Sequence, residues 1–324
     1  MRWVVTGGLG FIGSHFIRLA LAERPGLEVV NLDAMTYAGN PENLRDLEGH
    51  PRYRFLLGDI CDRAAVREAI GRSADAVVNF AAETHVDRSI ENSGTFLRTD
   101  ALGTHVLLEA VRDGAVARLL QVSTDEVYGS RAEGASTEAD PLRPRNPYAA
   151  SKGAGDLLAL AFHATFGISV SITRGSNTYG PNQYPEKIVP LFITNLLEDR
   201  TVPLYGDGLQ IRDWLYVEDH ARAVLTVLER GEPGGVYNAG GGSHCTNLEL
   251  THRLIDGCGG SPERHIQHVT DRLGHDRRYA LDSTRLYSLG WRPRVSFEEG
   301  LARTIAWYKA NEAWWRPLKA EAKC

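Results

Sequence analysis

Two short stretches carry residue types that could do chemistry together. The first is Ser123-Thr124-Asp125-Glu126, at the end of an apolar run over 119–122. That run reads as a buried strand, and in open α/β sheets ligands meet the carboxyl ends of the strands. Two adjacent carboxylates oppose each other's ionisation, so their pKa values are driven apart. The second stretch is Asn146-Pro147-Tyr148-Ala149-Ala150-Ser151-Lys152. Pro147 suits a first helical turn, which puts Tyr148 and Lys152 at i and i+4 on one helix face. An ammonium beside a phenol draws its pKa below the ordinary value of about 10, which makes Tyr148 a candidate base near neutral pH. Taken alone, a capped strand end and a surface Tyr/Lys pair would look the same, and Tyr-x-x-x-Lys recurs by chance. The pair gains meaning when a dinucleotide site precedes it.

Such a site does precede it. Residues 3–6 form a short apolar strand, followed by Gly7-Gly8-Leu9-Gly10-Phe11-Ile12-Gly13 and a helical pattern over 14–23. The glycines allow a tight turn and let a pyrophosphate approach the backbone at a helix N-terminus. A second strand over 28–33 ends in Asp33, about 20 residues beyond Gly13, where a ribose-binding carboxylate belongs. Strand, glycines, helix, strand and acid in one unit predict a dinucleotide site. Asp33 predicts NAD rather than NADP, because a carboxylate repels a 2′-phosphate.

Further strands are predicted over 53–59, 76–82 and 169–173, and helices over 62–70, 99–113 and 149–166. The α/β alternation stops near Gly180. A helix beginning within 183–187 and running to about residue 199, short strands around the turn Gly206-Asp207-Gly208, and a helix over 218–230 follow. A strand over 236–240 returns to the sheet edge, and helices and a basic loop over 271–278 complete the chain. The fold class expected is α/β, a Rossmann-type doubly wound parallel sheet with a smaller mixed α/β lobe. Residues 1–178 would form the NAD-binding domain, with 213–246 returning to it. Residues 179–212 and 247–324 would form the smaller lobe. The helices over 99–113 and 149–166 are apolar on more than one side, which fits either core packing or a homodimer interface.

Composition narrows the class. Hydrophobic residues make up 43% of 324, enough for a sizeable core, and the formal net charge of -5 argues against a nucleic-acid-binding protein. No apolar run approaches the roughly 18 residues of a membrane span, and Met1-Arg2 leads straight into a strand with no secretory pattern. Cys61, Cys245, Cys258 and Cys324 are scattered and form no Cys-x-x-Cys. They read as incidental thiols of a cytoplasmic enzyme with no metal site.

Ser123-Thr124-Asp125-Glu126-Val127-Tyr128-Gly129 is the most diagnostic match to a known family. With Ala81-Ala82-Glu83-Thr84-His85-Val86-Asp87-Arg88-Ser89, Pro185-Glu186-Lys187, Gly206-Asp207-Gly208 and Ile211-Arg212-Asp213-Trp214, it makes the chain resemble the dTDP-glucose 4,6-dehydratase family. These are extended short-chain dehydrogenase/reductases, and the resemblance spans nearly the whole chain. It implies that Gly7, Gly10, Phe11, Ile12, Gly13, Asp33, Asp59, Ile60, Phe80, Ala81, Ala82, Thr84, Thr99, Tyr148 and Lys152 line NAD. It further implies that Thr84, Thr124, Asn177, Glu186, Lys187, Pro203, Tyr205, Arg212, Asn247, Arg272 and His275 hold a sugar nucleotide, with Asp276 in the same loop. Arg212 and Arg272 could neutralise a diphosphate. Three positions depart from the family pattern: Thr84 for a Ser, Thr178 for an Asn beside the nicotinamide, and Leu273 for a Pro. His85 and Trp314-Trp315 read as packing and structural hydrogen bonding.

The resemblance implies that Thr124, Asp125, Glu126, Tyr148 and Lys152 are catalytic. They would convert dTDP-glucose to dTDP-4-keto-6-deoxyglucose and water by oxidation at C4, elimination across C5/C6 and return of hydride to C6. A UDP-sugar epimerase or decarboxylase is the alternative within the superfamily, but 4-epimerisation needs no acid at C6. A non-catalytic NAD- and sugar-nucleotide-binding regulator is the alternative outside it.

Overall fold

The structure is a computed structural model and describes residues 1–321. Twelve strands are found there: β1 (Arg2–Thr6), β2 (Glu28–Asp33), β3 (Tyr53–Leu57), β4 (Ala76–Asn79), β5 (Leu119–Thr124), β6 (Val170–Gly175), β7 (Asn177–Tyr179), β8 (Val202–Tyr205), β9 (Ile211–Tyr216), β10 (Val236–Ala239), β11 (His244–Thr246) and β12 (Ile266–Val269). Seven of them make one parallel sheet in the order β10-β6-β5-β4-β1-β2-β3. The chain winds outward from β1 in both directions, so the crevice between the ends of β1 and β4 is the topological switch point.

The sheet is covered on both faces, and strand alternation assigns its side chains. Trp3, Val5 and Val29 pack beneath the helices Phe11–Glu23 and Val217–Arg230. Val4, Val30 and Leu32 face the other way, toward the helices Arg63–Ile70, Thr104–Arg112 and Pro147–Phe166. A sheet buried on both sides needs near-continuous apolar strands, which is how β1, β4 and β5 read. A third cluster, with Tyr179, Phe192, Trp214, Phe297 and Trp315, forms the core of the smaller lobe. Trp315 is fully buried and its Nε1 donates to the Tyr308 carbonyl at 2.8 Å.

Two details differ from the sequence reading. The helix expected from residue 99 is already helical from Ser93 and passes through a π-helical turn, Leu97–Gly103. That turn carries Asp100 inward, where it accepts from the Ser151 hydroxyl at 2.6 Å. The helix expected from 183–187 begins at Ile188, because Glu186 N donates to the Tyr184 carbonyl and the Lys187 ammonium is drawn to the Thr84 carbonyl. The short strands expected around Gly206-Asp207-Gly208 are present, and they pair away from each other: β8 with β12, and β9 between β7 and β11. Gly206 and Gly208 both have positive φ, so the chain turns out of one pairing and into another.

Among the described residues no helix is long and apolar enough to cross a membrane. No group of three or more His, Cys, Asp or Glu is placed there to hold a metal. Cys61, Cys245 and Cys258 are free thiols, and Cys324 lies outside the described residues.

Candidate active site

One cavity of about 1450 Å³ opens along the carboxyl ends of β1, β4, β5 and β6 and continues into the smaller lobe. All the cofactor, catalytic and substrate residues predicted from sequence lie on its wall. Chain elements far apart in sequence, from Gly7 to His275, are therefore gathered around a single space.

The glycine turn is shaped for a close backbone approach. Gly7 has φ +67°, and a Cβ there would lie 2.5 Å from Ala81 N, so only glycine lets the end of β1 meet the end of β4. A Cβ on Gly13 would lie 2.5 Å from the Gly7 carbonyl oxygen. Asp33 accepts from Leu9 N at 2.9 Å and Met35 N at 2.8 Å. It thus ties the glycine turn to the end of β2, while burial pushes its carboxyl pKa up. Asp59 accepts from Cys61 N at 2.8 Å and from Arg98 Nη2 at 3.0 Å. This cradle, open at a helix N-terminus and closed by a carboxylate at the end of the second strand, fits a dinucleotide.

The candidate catalytic residues meet deeper in the cavity. Thr124 ends β5 and caps the short turn Asp125–Tyr128, accepting from Glu126 N at 3.3 Å. Its hydroxyl donates to Asp125 Oδ1 at 3.2 Å. Asp125 is buried, and its other oxygen has no hydrogen-bond partner. Burial first, then the charges of Glu126 and Asp213, push its carboxyl pKa well up, which favours the protonated form. Glu126 is only half-buried.

Tyr148 and Lys152 stand one turn apart on the helix Pro147–Phe166, which begins at an Asn146 cap. Asn146 Oδ1 accepts from Ala149 N at 2.8 Å. The Lys152 ammonium is buried and donates to the Val122 carbonyl at 2.8 Å. One expectation is corrected here. The Tyr148 phenol is not drawn down: burial, then the charges of Glu126 and Asp100, push its pKa well above the ordinary value. The helical i, i+4 spacing is present, but desolvation outweighs the neighbouring ammonium.

On the smaller lobe, the Arg272 guanidinium lies 4.9 Å from the Tyr205 ring centroid, and His275 meets the same ring edge-on. Two donors of Arg212 are already used, on the carbonyls of Ile211 at 2.8 Å and Asp276 at 2.9 Å. Asn177 Oδ1, Asn247 Oδ1 and Arg272 Nε are buried without a partner on the cavity wall, the state expected of groups that bind a polar ligand. Glu186 is instead turned into a cluster with Tyr37 (2.8 Å) and Arg88 (3.5 Å). His85 lies on the same wall, its pKa pushed down to about 3 by burial and by Lys187, Arg272 and Arg88.

Several wall residues were not singled out by sequence: Asn146 as a partner of Glu126, Ser176, His220 and Tyr279. His220 Nδ1 is 2.7 Å from the Thr178 hydroxyl, and burial pushes its pKa down to about 4. Only Asn146 had a local signal, its place as a cap before Pro147.

The chain is similar along nearly its whole length to known proteins. Residues 4–304 match the family model described as GDP-mannose 4,6 dehydratase. The chain is 51% identical over 325 residues to a dTDP-glucose 4,6-dehydratase of Streptomyces niveus, covering 99% of this chain and 96% of the relative. A dTDP-glucose 4,6-dehydratase of Streptomyces venezuelae, crystallised with NAD and a second ligand, superposes with a TM-score of 0.95 at 51% identity, covering 98% of this chain and all of that one. A dTDP-glucose 4,6-dehydratase of Bacillus anthracis in complex with NAD gives 0.92 at 45% identity, covering 98% and 99%.

Proposed function

The chain belongs to the family described as GDP-mannose 4,6 dehydratase, and from its similarity along nearly the whole chain to dTDP-glucose 4,6-dehydratases we propose that it is an NAD-dependent hydro-lyase converting dTDP-glucose to dTDP-4-keto-6-deoxyglucose and water. The observation that carries the reading is the pairing of Asp125 and Glu126 beside Tyr148 on one cavity wall. A dehydration across C5 and C6 needs an acid and a base together, and a buried acid next to a more exposed carboxylate supplies both.

Bound NAD⁺ would supply the hydride acceptor at C4, the hydride donor for C6 and a positive charge near the phenol. Gly7, Gly10, Gly13 and Asp33 would hold it at the glycine turn, and Tyr148 and Lys152 at its reactive end. Tyr148, as the phenolate that the Lys152 and cofactor charges would favour, takes the C4 hydroxyl proton, and the Thr124 hydroxyl bonds the same oxygen. The new ketone acidifies the C5 proton, which Glu126 removes. Asp125 protonates the C6 hydroxyl as it leaves as water. Glu126 then returns a proton to C5. The proton taken at C4 replaces the one Asp125 gave up, so the enzyme ends each cycle unchanged. Arg212, Arg272, Tyr205 and Asn247 bind the nucleotide diphosphate.

Incubation with dTDP-glucose should give a product lighter by one water with no net change in cofactor. A 4-epimer of unchanged mass would instead support an epimerase, and an unaltered sugar nucleotide a binding protein.

The functional unit in this reading is a homodimer. Leu97 and Leu102 on the first of the two long helices, and Leu157 and Phe166 on the second, are 46–58% exposed. Such a patch on adjacent helices favours a two-fold helical interface. The free thiols accord with a reducing compartment, and the reading places the enzyme in the cytoplasm.

A further inference from the structure

Among the described residues, the side-chain hydrogen bonds of Glu126 all fall on one oxygen. Asn146 Nδ2 donates to Oε2 at 3.2 Å, and the Tyr279 hydroxyl lies 3.4 Å from the same atom. Tyr279 is buried, and its hydroxyl is also 2.6 Å from Asp276 Oδ2. A phenol has one proton to donate, so the two carboxylates compete for it, with Asp276 the nearer. Burial, then the charge on Glu126, hold that phenol far above its ordinary range, so it remains a donor. Arg145, 3.4 Å from Asp276 Oδ1, gives that carboxylate its own counter-charge. The other face of the Tyr279 ring environment is the Arg212 guanidinium, 4.4 Å from the centroid.

We propose that Asn146 and Tyr279 are positioning residues for Glu126, holding Oε2 so that Oε1 is the oxygen that takes and returns the C5 proton. The proposal rests on the dehydratase reading. Donors on one carboxylate oxygen fix the side-chain rotamer and reduce that oxygen's availability, leaving the free oxygen as the base. Asn146 links the two chemical steps. Its Oδ1 caps the helix bearing Tyr148, and its Nδ2 orients Glu126. Each atom does one task, so substitution can separate them.

The test follows dTDP-glucose in deuterated buffer by rapid-mixing absorbance of reduced cofactor, by deuterium at C5 and by KM. Tyr279→Phe keeps the ring beneath Arg212. KM should stay within about twofold and C4 oxidation should keep its native rate, while C5 exchange falls on the order of tenfold. Asn146→Ser keeps an acceptor for Ala149 N but cannot donate to Glu126, and should reproduce the selective fall from a different element. Native C5 exchange in both variants overturns the proposal, as does an equal slowing of C4 oxidation, the mark of a packing defect. If the native protein neither oxidises nor dehydrates dTDP-glucose, the dehydratase reading fails and takes the proposal with it.

Discussion

Asp125 and Glu126 are consecutive in the chain but differ in what reaches their oxygens. Asp125 Oδ2 is buried with no partner, whereas Glu126 Oε2 is approached by both Asn146 and Tyr279. The two carboxyls are thus set in different surroundings, which is what the proposed division into acid and base requires.

Their division of labour predicts separable defects. Tyr148→Phe should block the first step, leaving no reduced cofactor after mixing with dTDP-glucose. Glu126→Gln should oxidise C4 but accumulate reduced cofactor with little deuterium at C5. Asp125→Asn should still exchange C5 while losing water slowly. Each loss in the affected step should be on the order of 10²–10⁴-fold. Native-rate elimination by Glu126→Gln would reverse the assignment.

The buried Asp125 also sets a pH dependence of stability. Its folded pKa lies above the unfolded value of about 3.9. The folded state thus gains from it fully below that unfolded value and loses the gain as pH rises through the folded pKa. Asn cannot ionise, so Asp125→Asn should melt higher than the native protein at pH 8, with the difference shrinking toward pH 4. Calorimetry at the two pH values measures this, and a constant difference would refute it.

Gly7 is predicted to be intolerant of any side chain. With φ +67° and a Cβ that would meet Ala81 N at 2.5 Å, Gly7→Ala combines backbone strain of about 1–3 kcal/mol with a backbone clash. The purified variant should carry far less NAD than the native protein and melt lower. Cofactor content by absorbance after denaturation, with a melting curve, checks both.

The exposed leucines predict the oligomeric state. Leu102→Glu with Leu157→Glu should shift a dimer to monomer at micromolar concentration by light scattering, since two buried charges per protomer would have no partners. A dimer that survives the pair would place the interface elsewhere.

The glycine turn, Asp33 and the Tyr148/Lys152 spacing were legible in sequence because each is a local pattern. A tight turn, a strand end and one helical turn are determined by residues close in the chain. The parallel sheet was legible for a similar reason, since strands apolar on both faces have to be covered on both sides. The partners of Glu126 were not, because Asn146 stands 20 residues away and Tyr279 153, and nothing near either residue marks the encounter. The direction of the Tyr148 pKa was also misjudged from sequence. The i, i+4 ammonium is visible there, but the burial and the Glu126 and Asp100 charges that outweigh it arrive only when distant strands and helices close around the ring. Pairing of β8 with β12 across more than sixty residues was likewise decided by tertiary structure, because a strand's partner is chosen by what else needs an edge, not by its own residues.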